Sequence, residues 1–284
     1  MNRNELVELI KKKKSFLCVG LDSDIDKIPA FLKSEKDPVF EFNKRIIDAT
    51  LPYAVAYKPN LAFYESHGSE GIKSLEKTMR YLLEIKEQVF TIADAKRGDI
   101  GNSAAGYAKA FFEHMGFDAV TVSPYMGYDS IMPFLEYKDK WTIILALTSN
   151  KGADDFQKLQ VIDYSDSGRN VSENLYETII RKSLNWENSE KIMFVAGATQ
   201  AKLIGKIRSI APGSFLLVPG VGAQGGSLKE VTDYGLNDDC GLLVNASRSI
   251  IFASDKSNFD AAAASEAHRL QGEMESLLRA KRII

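Results

Sequence analysis

Cysteine, histidine and long apolar runs are all scarce in this 284-residue chain. Its two cysteines, Cys18 and Cys240, each sit inside an apolar run and lack the close spacing of a metal pair. They are expected as buried thiols in a reducing compartment rather than as a disulfide. No apolar stretch approaches the roughly 20 residues of a membrane span. Nor do the four lysines at 11–14 introduce a secretion signal, because the apolar run after them is short and closes on Asp22. Those lysines read instead as the last turn of a first helix, where cations complement the helix dipole. The three histidines, His67, His114 and His268, fall outside every motif described below and are expected on the surface or in helix packing. A net charge of −2 provides no broad basic face for a polyanion, although a local basic pocket remains compatible with it. These absences point to a soluble cytoplasmic enzyme with no nucleic-acid or membrane partner.

What is present is a sizeable core, with 45% hydrophobic residues. Short apolar runs occur at residues 16–21, 53–57, 89–93, 119–122, 142–147, 192–196, 215–218 and 241–244. Most are continuously apolar rather than alternating, as strands covered on both faces are. Amphipathic segments separate them. Asp37-Pro38 caps one helix and turns Val39, Phe40, Phe42, Ile46 and Ile47 toward the core. Further helices are predicted over 69–88, 102–115, 128–136, 171–184, 199–210, 227–234 and from 259 to the C-terminus. Eight strands alternating with helices fit a closed barrel or an open doubly wound sheet. Nearly every run ends in a polar residue: Asp22, Lys58, Asp94 with Lys96, Ser123, Ser149, Thr199 and Arg248. A barrel gathers such ends at one mouth, so a single (β/α)8 TIM barrel over 1–284, with an extra N-terminal helix, is favoured.

The richest segment runs Ala93-Asp94-Ala95-Lys96-Arg97-Gly98-Asp99-Ile100-Gly101. Asp94 and Lys96 lie two apart on an extended chain and therefore point to one side. Gly98 would let the chain turn before Asp99. Alone, such a cluster reads as a structural salt bridge or a helix cap. With Lys58 at a neighbouring strand end it becomes an alternating Lys-Asp-Lys-Asp set. Such a set would hold Lys96 protonated beside a reaction that develops negative charge. After the seventh run comes Pro219-Gly220-Val221-Gly222-Ala223-Gln224-Gly225-Gly226, and after the eighth Ser247-Arg248. Loops in these positions of a barrel commonly bind phosphate. The long polar segment 150–170 reads as either a lid or a decorated surface loop.

These residues resemble the orotidine 5'-phosphate decarboxylases, in their longer bacterial form. The resemblance covers nearly the whole chain in order: Gly20-Leu21-Asp22, Tyr57-Lys58-Pro59-Asn60, the charged cluster, Thr148-Ser149-Asn150, the glycine-rich run and Arg248. It implies decarboxylation of orotidine 5'-phosphate to UMP, the last step of de novo pyrimidine nucleotide synthesis, without a metal or other cofactor. It implies that Lys96 stabilises and protonates C6, that Asp94 lies near the departing carboxylate, and that Asp22 and Lys58 bind ribose hydroxyls. By the same resemblance, Asp99 crosses a homodimer interface into the partner's site and Ser103 follows it. Ser149 would read the pyrimidine edge, Gln224 would bridge base and phosphate, and Arg248 would clamp the phosphate. The chain departs from the commoner short form at Ser103, where Thr is usual, and at Ser247, where Gly is usual. It also lacks a proline near Lys151 and another after Ile100.

Two other readings stay open. Sugar-phosphate decarboxylases and hexulose-phosphate synthases of the same superfamily look similar at Asp-x-Lys-x-x-Asp but use Mg2+. They would need a further carboxylate near the cluster, for which Glu65 and Asp118 are the candidates. A catalytically silent nucleotide-binding barrel is the third reading.

Overall fold

The computed structural model describes residues 1–163, 171–221 and 226–284. The continuous apolar runs become parallel strands, since strands covered by helices outside and packed side chains inside must be apolar on both faces. They are β1 (Leu17–Leu21), β2 (Ala56–Pro59), β3 (Phe90–Arg97), β4 (Ala119–Val122) and β5 (Trp141–Leu147). After two strands outside the barrel, β6 (Gln160–Asp163) and β7 (Val171–Asn174), come β8 (Ile192–Ala196), β9 (Leu216–Pro219) and β10 (Leu242–Ala246). The ring closes in the order β1-β10-β9-β8-β5-β4-β3-β2. This is the (β/α)8 barrel expected, and the open sheet is excluded.

Several boundaries differ from expectation, two of them for a visible reason. The second strand begins at Ala56 rather than at residue 53, because Tyr53 and Ala54 still donate backbone hydrogen bonds to Thr50 in the preceding turn. The helix predicted over 171–184 begins only at Leu175, and Val171–Asn174 pairs antiparallel with β6 instead. The predicted long connection therefore contains a short helix, Ala153–Phe156, and a two-stranded ribbon. Its residues 164–170 lie outside the described residues.

Local signals place the helices. Asn2 and Glu5 form a reciprocal capping box on the helix Arg3–Lys13, whose last turn carries Lys11, Lys12 and Lys13. Asp37 accepts a hydrogen bond from the Phe40 N–H and Pro38 opens the helix Pro38–Thr50. This helix buries Val39, Phe42, Ile46 and Ile47, whereas Phe40 is only half-buried. The final helix, Phe259–Ala280, packs against it. Phe42 stacks on Phe259 with ring centroids 5.2 Å apart, and Arg45 pairs with Asp260 at 2.6 Å.

One buried polar network fastens the loop after β1. Ser23 Oγ donates to Asn43 Oδ1 at 2.5 Å, and Asn43 Nδ2 donates to Tyr64 Oη and Thr78 Oγ1, each at 3.0 Å. Tyr64 Oη donates in turn to the Leu21 carbonyl at 3.1 Å. All four side chains are buried, and each finds its partner, as buried polar groups must. Among the described residues, no helix is long and apolar enough to cross a membrane. Cys18 and Cys240 are free, buried thiols.

Candidate active site

The mouth of the barrel is built from the C-terminal ends of its strands. Lys58, in β2, and Asp94, in β3, meet there: Lys58 Nζ stands 2.6 Å from Asp94 Oδ2, with the two side chains 5% and 11% exposed. Lys96 Nζ lies 2.5 Å from the other oxygen, Asp94 Oδ1, but its side chain is 51% exposed. One buried carboxylate thus bridges a buried ammonium and an accessible one.

The convergence of Asp94 and Lys96 was expected, but not the way the backbone achieves it. β3 is not simply extended here. Lys96 adopts φ of 49°, a left-handed conformation that costs a non-glycine residue about 1–2 kcal/mol. The register against β4 slips at the same place, with Ala93 opposite Val120 and Arg97 opposite Val122. The bulge re-aims the lysine. Gly98, expected to provide the turn, is absent from the positive-φ residues; the left-handed positions are Lys96 and Gly101. Gly98 instead passes close to Ser123, whose Cβ would lie 3.3 Å from any added Cβ.

Two residues that the sequence did not single out hold this kink. Thr121, buried in β4, accepts the Lys96 backbone N–H at 2.9 Å and lies 3.2 Å from Asp94 Oδ1. On the outside, Arg97 pairs with Glu65, donates to the Ala95 carbonyl at 3.1 Å and lies over the rings of Tyr107 and Phe111.

Charge compensation sets the protonation states. Burial pushes the Asp94 carboxyl up, but Lys58 and Lys96 outweigh it and hold its pKa at about 2. Burial disfavours the Lys58 ammonium, yet the carboxylates of Asp94 and Asp22 more than offset this and raise its pKa above the ordinary lysine value. Both groups are therefore charged at neutral pH.

Of the remaining predicted site residues, Asp22, Ser149 and Arg248 lie just past the C-terminal ends of β1, β5 and β10. Asp22, just past β1, has a buried Oδ1 with no hydrogen-bond partner among the described residues. Ser149 is half-buried just past β5. The turn it occupies is fastened by Gln157, whose Oε1 accepts the Thr148 N–H at 2.8 Å. Arg248 opens the short helix Arg248–Ile251, is exposed, and forms no ion pair among the described residues. Gln224 lies outside the described residues. Val221 and Gly226, on either side of it in sequence, pair in an isolated bridge.

Asp99 and Ser103 are not brought to the array within the chain. Asp99 accepts the Ile100 N–H at 2.8 Å and forms no ion pair among the described residues. Ser103 is exposed on the first turn of the helix Gly101–Lys109. Exposed large apolar side chains occur close to them in sequence, at Ile100 (50%) and Tyr107 (36%), and in the loop after β4, at Tyr125 (88%) and Met126 (46%).

Close packing couples β1 to the loop before Arg248. A Cβ on Gly20 would lie 1.8 Å from Ser247 Oγ, so any larger residue there would have to displace the Ser247 side chain. Asn245 Nδ2 approaches the same hydroxyl at 3.2 Å. The two extra carboxylates considered from sequence have other partners. Glu65 pairs with Arg97. Asp118 precedes β4, at the opposite end of the barrel, where it accepts from the Thr91 N–H at 2.9 Å and pairs with the Met1 ammonium at 2.8 Å.

The sequence profile of the family described as orotidine 5'-phosphate decarboxylase / HUMPS matches residues 15–263. A curated orotidine 5'-phosphate decarboxylase of Christiangramia forsetii is 58% identical over 278 residues, covering 98% of this chain and 99% of that protein. That of Porphyromonas gingivalis is 57% identical over 284 residues, covering 100% of both. Among solved structures, the OMP decarboxylase of Leishmania donovani superposes with a TM-score of 0.80 at 36% identity, covering 98% of each chain. The orotidine 5'-monophosphate decarboxylase of Plasmodium berghei gives 0.81 at 25% identity, covering 97% of this chain and 99% of that one. With a matching profile, near-complete coverage and a shared barrel, this chain belongs to the orotidine 5'-phosphate decarboxylase / HUMPS family.

Proposed function

We propose that this chain, as a single catalytic domain, converts orotidine 5'-phosphate (OMP) to UMP and carbon dioxide, the last step of de novo pyrimidine nucleotide synthesis. The observation that carries the reading is the accessible Lys96 ammonium held on the buried, ionised Asp94 at the barrel mouth. Decarboxylation breaks the bond between C6 and the carboxylate and leaves an electron pair at C6 in the plane of the ring. No π-system of the pyrimidine takes up that pair, so the charge must be met locally. Lys96 is a fixed positive charge for it and then gives its Nζ proton to C6, closing the balance with a C6–H bond. Lys96 regains its proton from water. Protein groups alone perform each of these steps, so the reaction calls for neither metal nor organic cofactor.

The other residues bind and orient. Asp22, with its unpartnered oxygen, and Lys58 take ribose hydroxyls. Ser149 reads the pyrimidine edge, and Gln224 bridges base and phosphate. Arg248 clamps the phosphate through charge-assisted hydrogen bonds. Binding energy from the phosphate, remote from C6, is available to drive closure around the base. The active unit is a homodimer. In support, neither Asp99 nor Ser103 forms a hydrogen bond or ion pair with the array of its own chain among the described residues, and Ile100 and Tyr107, close to them in sequence, are exposed apolar side chains of the kind a second copy covers. There Asp99 completes the partner's Lys-Asp-Lys-Asp set.

Purified protein given OMP is expected to bleach the orotate absorbance at an unchanged rate in excess EDTA. Loss of turnover under chelation would favour the Mg2+-dependent branch of the superfamily, whose extra carboxylate Glu65 and Asp118 are poorly placed to provide. A fully inactive protein that still binds UMP would favour the silent nucleotide-binding barrel. For Arg248→Ala, KM for OMP is expected to rise by about 10- to 100-fold, the worth of one or two hydrogen bonds to a charged group. An unaltered KM would remove the phosphate assignment.

A further inference from the structure

Lys96 holds a backbone conformation that lysine rarely adopts, and the contacts that hold it there are unevenly spread. On the outer side, Arg97 grips the Ala95 carbonyl and Glu65. On the inner side, among the described residues, the Thr121 hydroxyl alone hydrogen-bonds both the kinked backbone and the carboxylate that receives the lysine. It accepts the Lys96 N–H at 2.9 Å and stands 3.2 Å from Asp94 Oδ1. Its remaining close oxygen is the Ala93 carbonyl, at 3.5 Å. A hydroxyl has one proton to donate and lone pairs to accept. The backbone N–H must occupy a lone pair, so the proton is free to go to Asp94, the nearer of the two acceptors. Thr121 is 1% exposed, so no bulk water substitutes for it.

We propose that Thr121 is a positioning residue for decarboxylation: its hydroxyl locks the left-handed turn at Lys96 and the rotamer of Asp94 together, so that the ammonium faces the reacting carbon. The role rests on the reading of Lys96 as the proton donor. Thr121 touches no substrate atom itself. Its effect comes through alignment, and displacement of a reacting group by about 1 Å can cost a factor of roughly 100 in rate. Thr121 is buried in β4 and valine has nearly its shape, so the hydroxyl can be removed with little change of volume.

The test compares Thr121→Val with Thr121→Ser in the full chain, by steady-state OMP decarboxylation, UMP binding and a crystal structure. In the valine variant kcat is expected to fall about 10- to 100-fold while UMP affinity stays within about threefold of the parent. The serine variant, which restores the hydroxyl, is expected to recover most of the lost turnover. A merely structural role would move both variants together with thermal stability. If Thr121→Val does not fold, Thr121→Cys, of similar size and weaker hydrogen bonding, takes its place. The crystal structure separates the two claims. A valine variant whose Lys96 keeps its positive φ and its contact with Asp94 overturns the positioning role, whatever the activity. A Lys96 displaced in the valine variant, when the parent protein itself does not consume OMP, supports the positioning role and overturns the assigned reaction.

Discussion

Lys96→Ala should lower kcat for OMP decarboxylation by at least about 10,000-fold without unfolding the barrel. Two contributions disappear with one side chain. A preorganised charge beside a developing carbanion is worth roughly 100- to 1,000-fold, and a positioned proton donor about as much again. The fold should survive because the Lys96 side chain is half exposed and Asp94 keeps Lys58 at 2.6 Å. The lost surface-side ion pair contributes about 1 kcal/mol or less. Single-turnover kinetics beside a thermal melt would measure both quantities. Turnover within tenfold of the parent would remove Lys96 from the chemistry.

Asp94→Ala should be both inactive and markedly less stable. It strips the counter-ion from Lys58, whose side chain is 5% exposed, and an uncompensated buried charge costs about 3–5 kcal/mol. The melting temperature should fall by about 6–10 °C, at roughly 2 °C per kcal/mol for a chain of this size. Acid provides a second measure. The carboxyl of Asp94 is depressed from 3.8 to about 2 in the folded protein. A depressed carboxylate contributes stability that is fully present above its unfolded pKa and lost as pH falls through the folded one. About 2 kcal/mol should therefore vanish between roughly pH 4 and pH 2. Denaturant melts at pH 5 and pH 2.5 should show this loss in the parent and not in Asp94→Ala. An equal acid sensitivity in both proteins would place the effect elsewhere.

The barrel was legible because a strand covered on both faces must be apolar throughout, and all eight such runs stand out against the helices between them. The ribbon of β6 and β7 was not, because its strands carry Gln160, Asp163, Ser172, Glu173 and Asn174, which look like loop. A hairpin outside the barrel has no need of a continuous apolar run. At the site, strand-end position alone was enough to bring Lys58, Asp94 and Lys96 together. The turn that aims Lys96 was hidden. Positive φ usually announces itself as glycine, so Gly98 drew the expectation while a lysine took the conformation. Thr121 was hidden for the opposite reason: a threonine in a strand needs no explanation beyond β propensity. The sequence pattern put Asp99 in the charged set, but among the described residues no contact within one chain draws it to Lys58, Asp94 and Lys96, and Ser103 entered through the family resemblance alone.

The bolt formed by Ser23, Asn43, Tyr64 and Thr78 has a bearing on how this sequence drifts. Asn43 serves three partners on three different segments, so replacing any one of them strands a buried donor or acceptor on the others. Substitutions at these four positions should therefore be strongly epistatic, as double-mutant cycles would measure. The route to an apolar alternative passes through intermediates worse than either end, which keeps the stretch ahead of Asp22 from wandering one residue at a time.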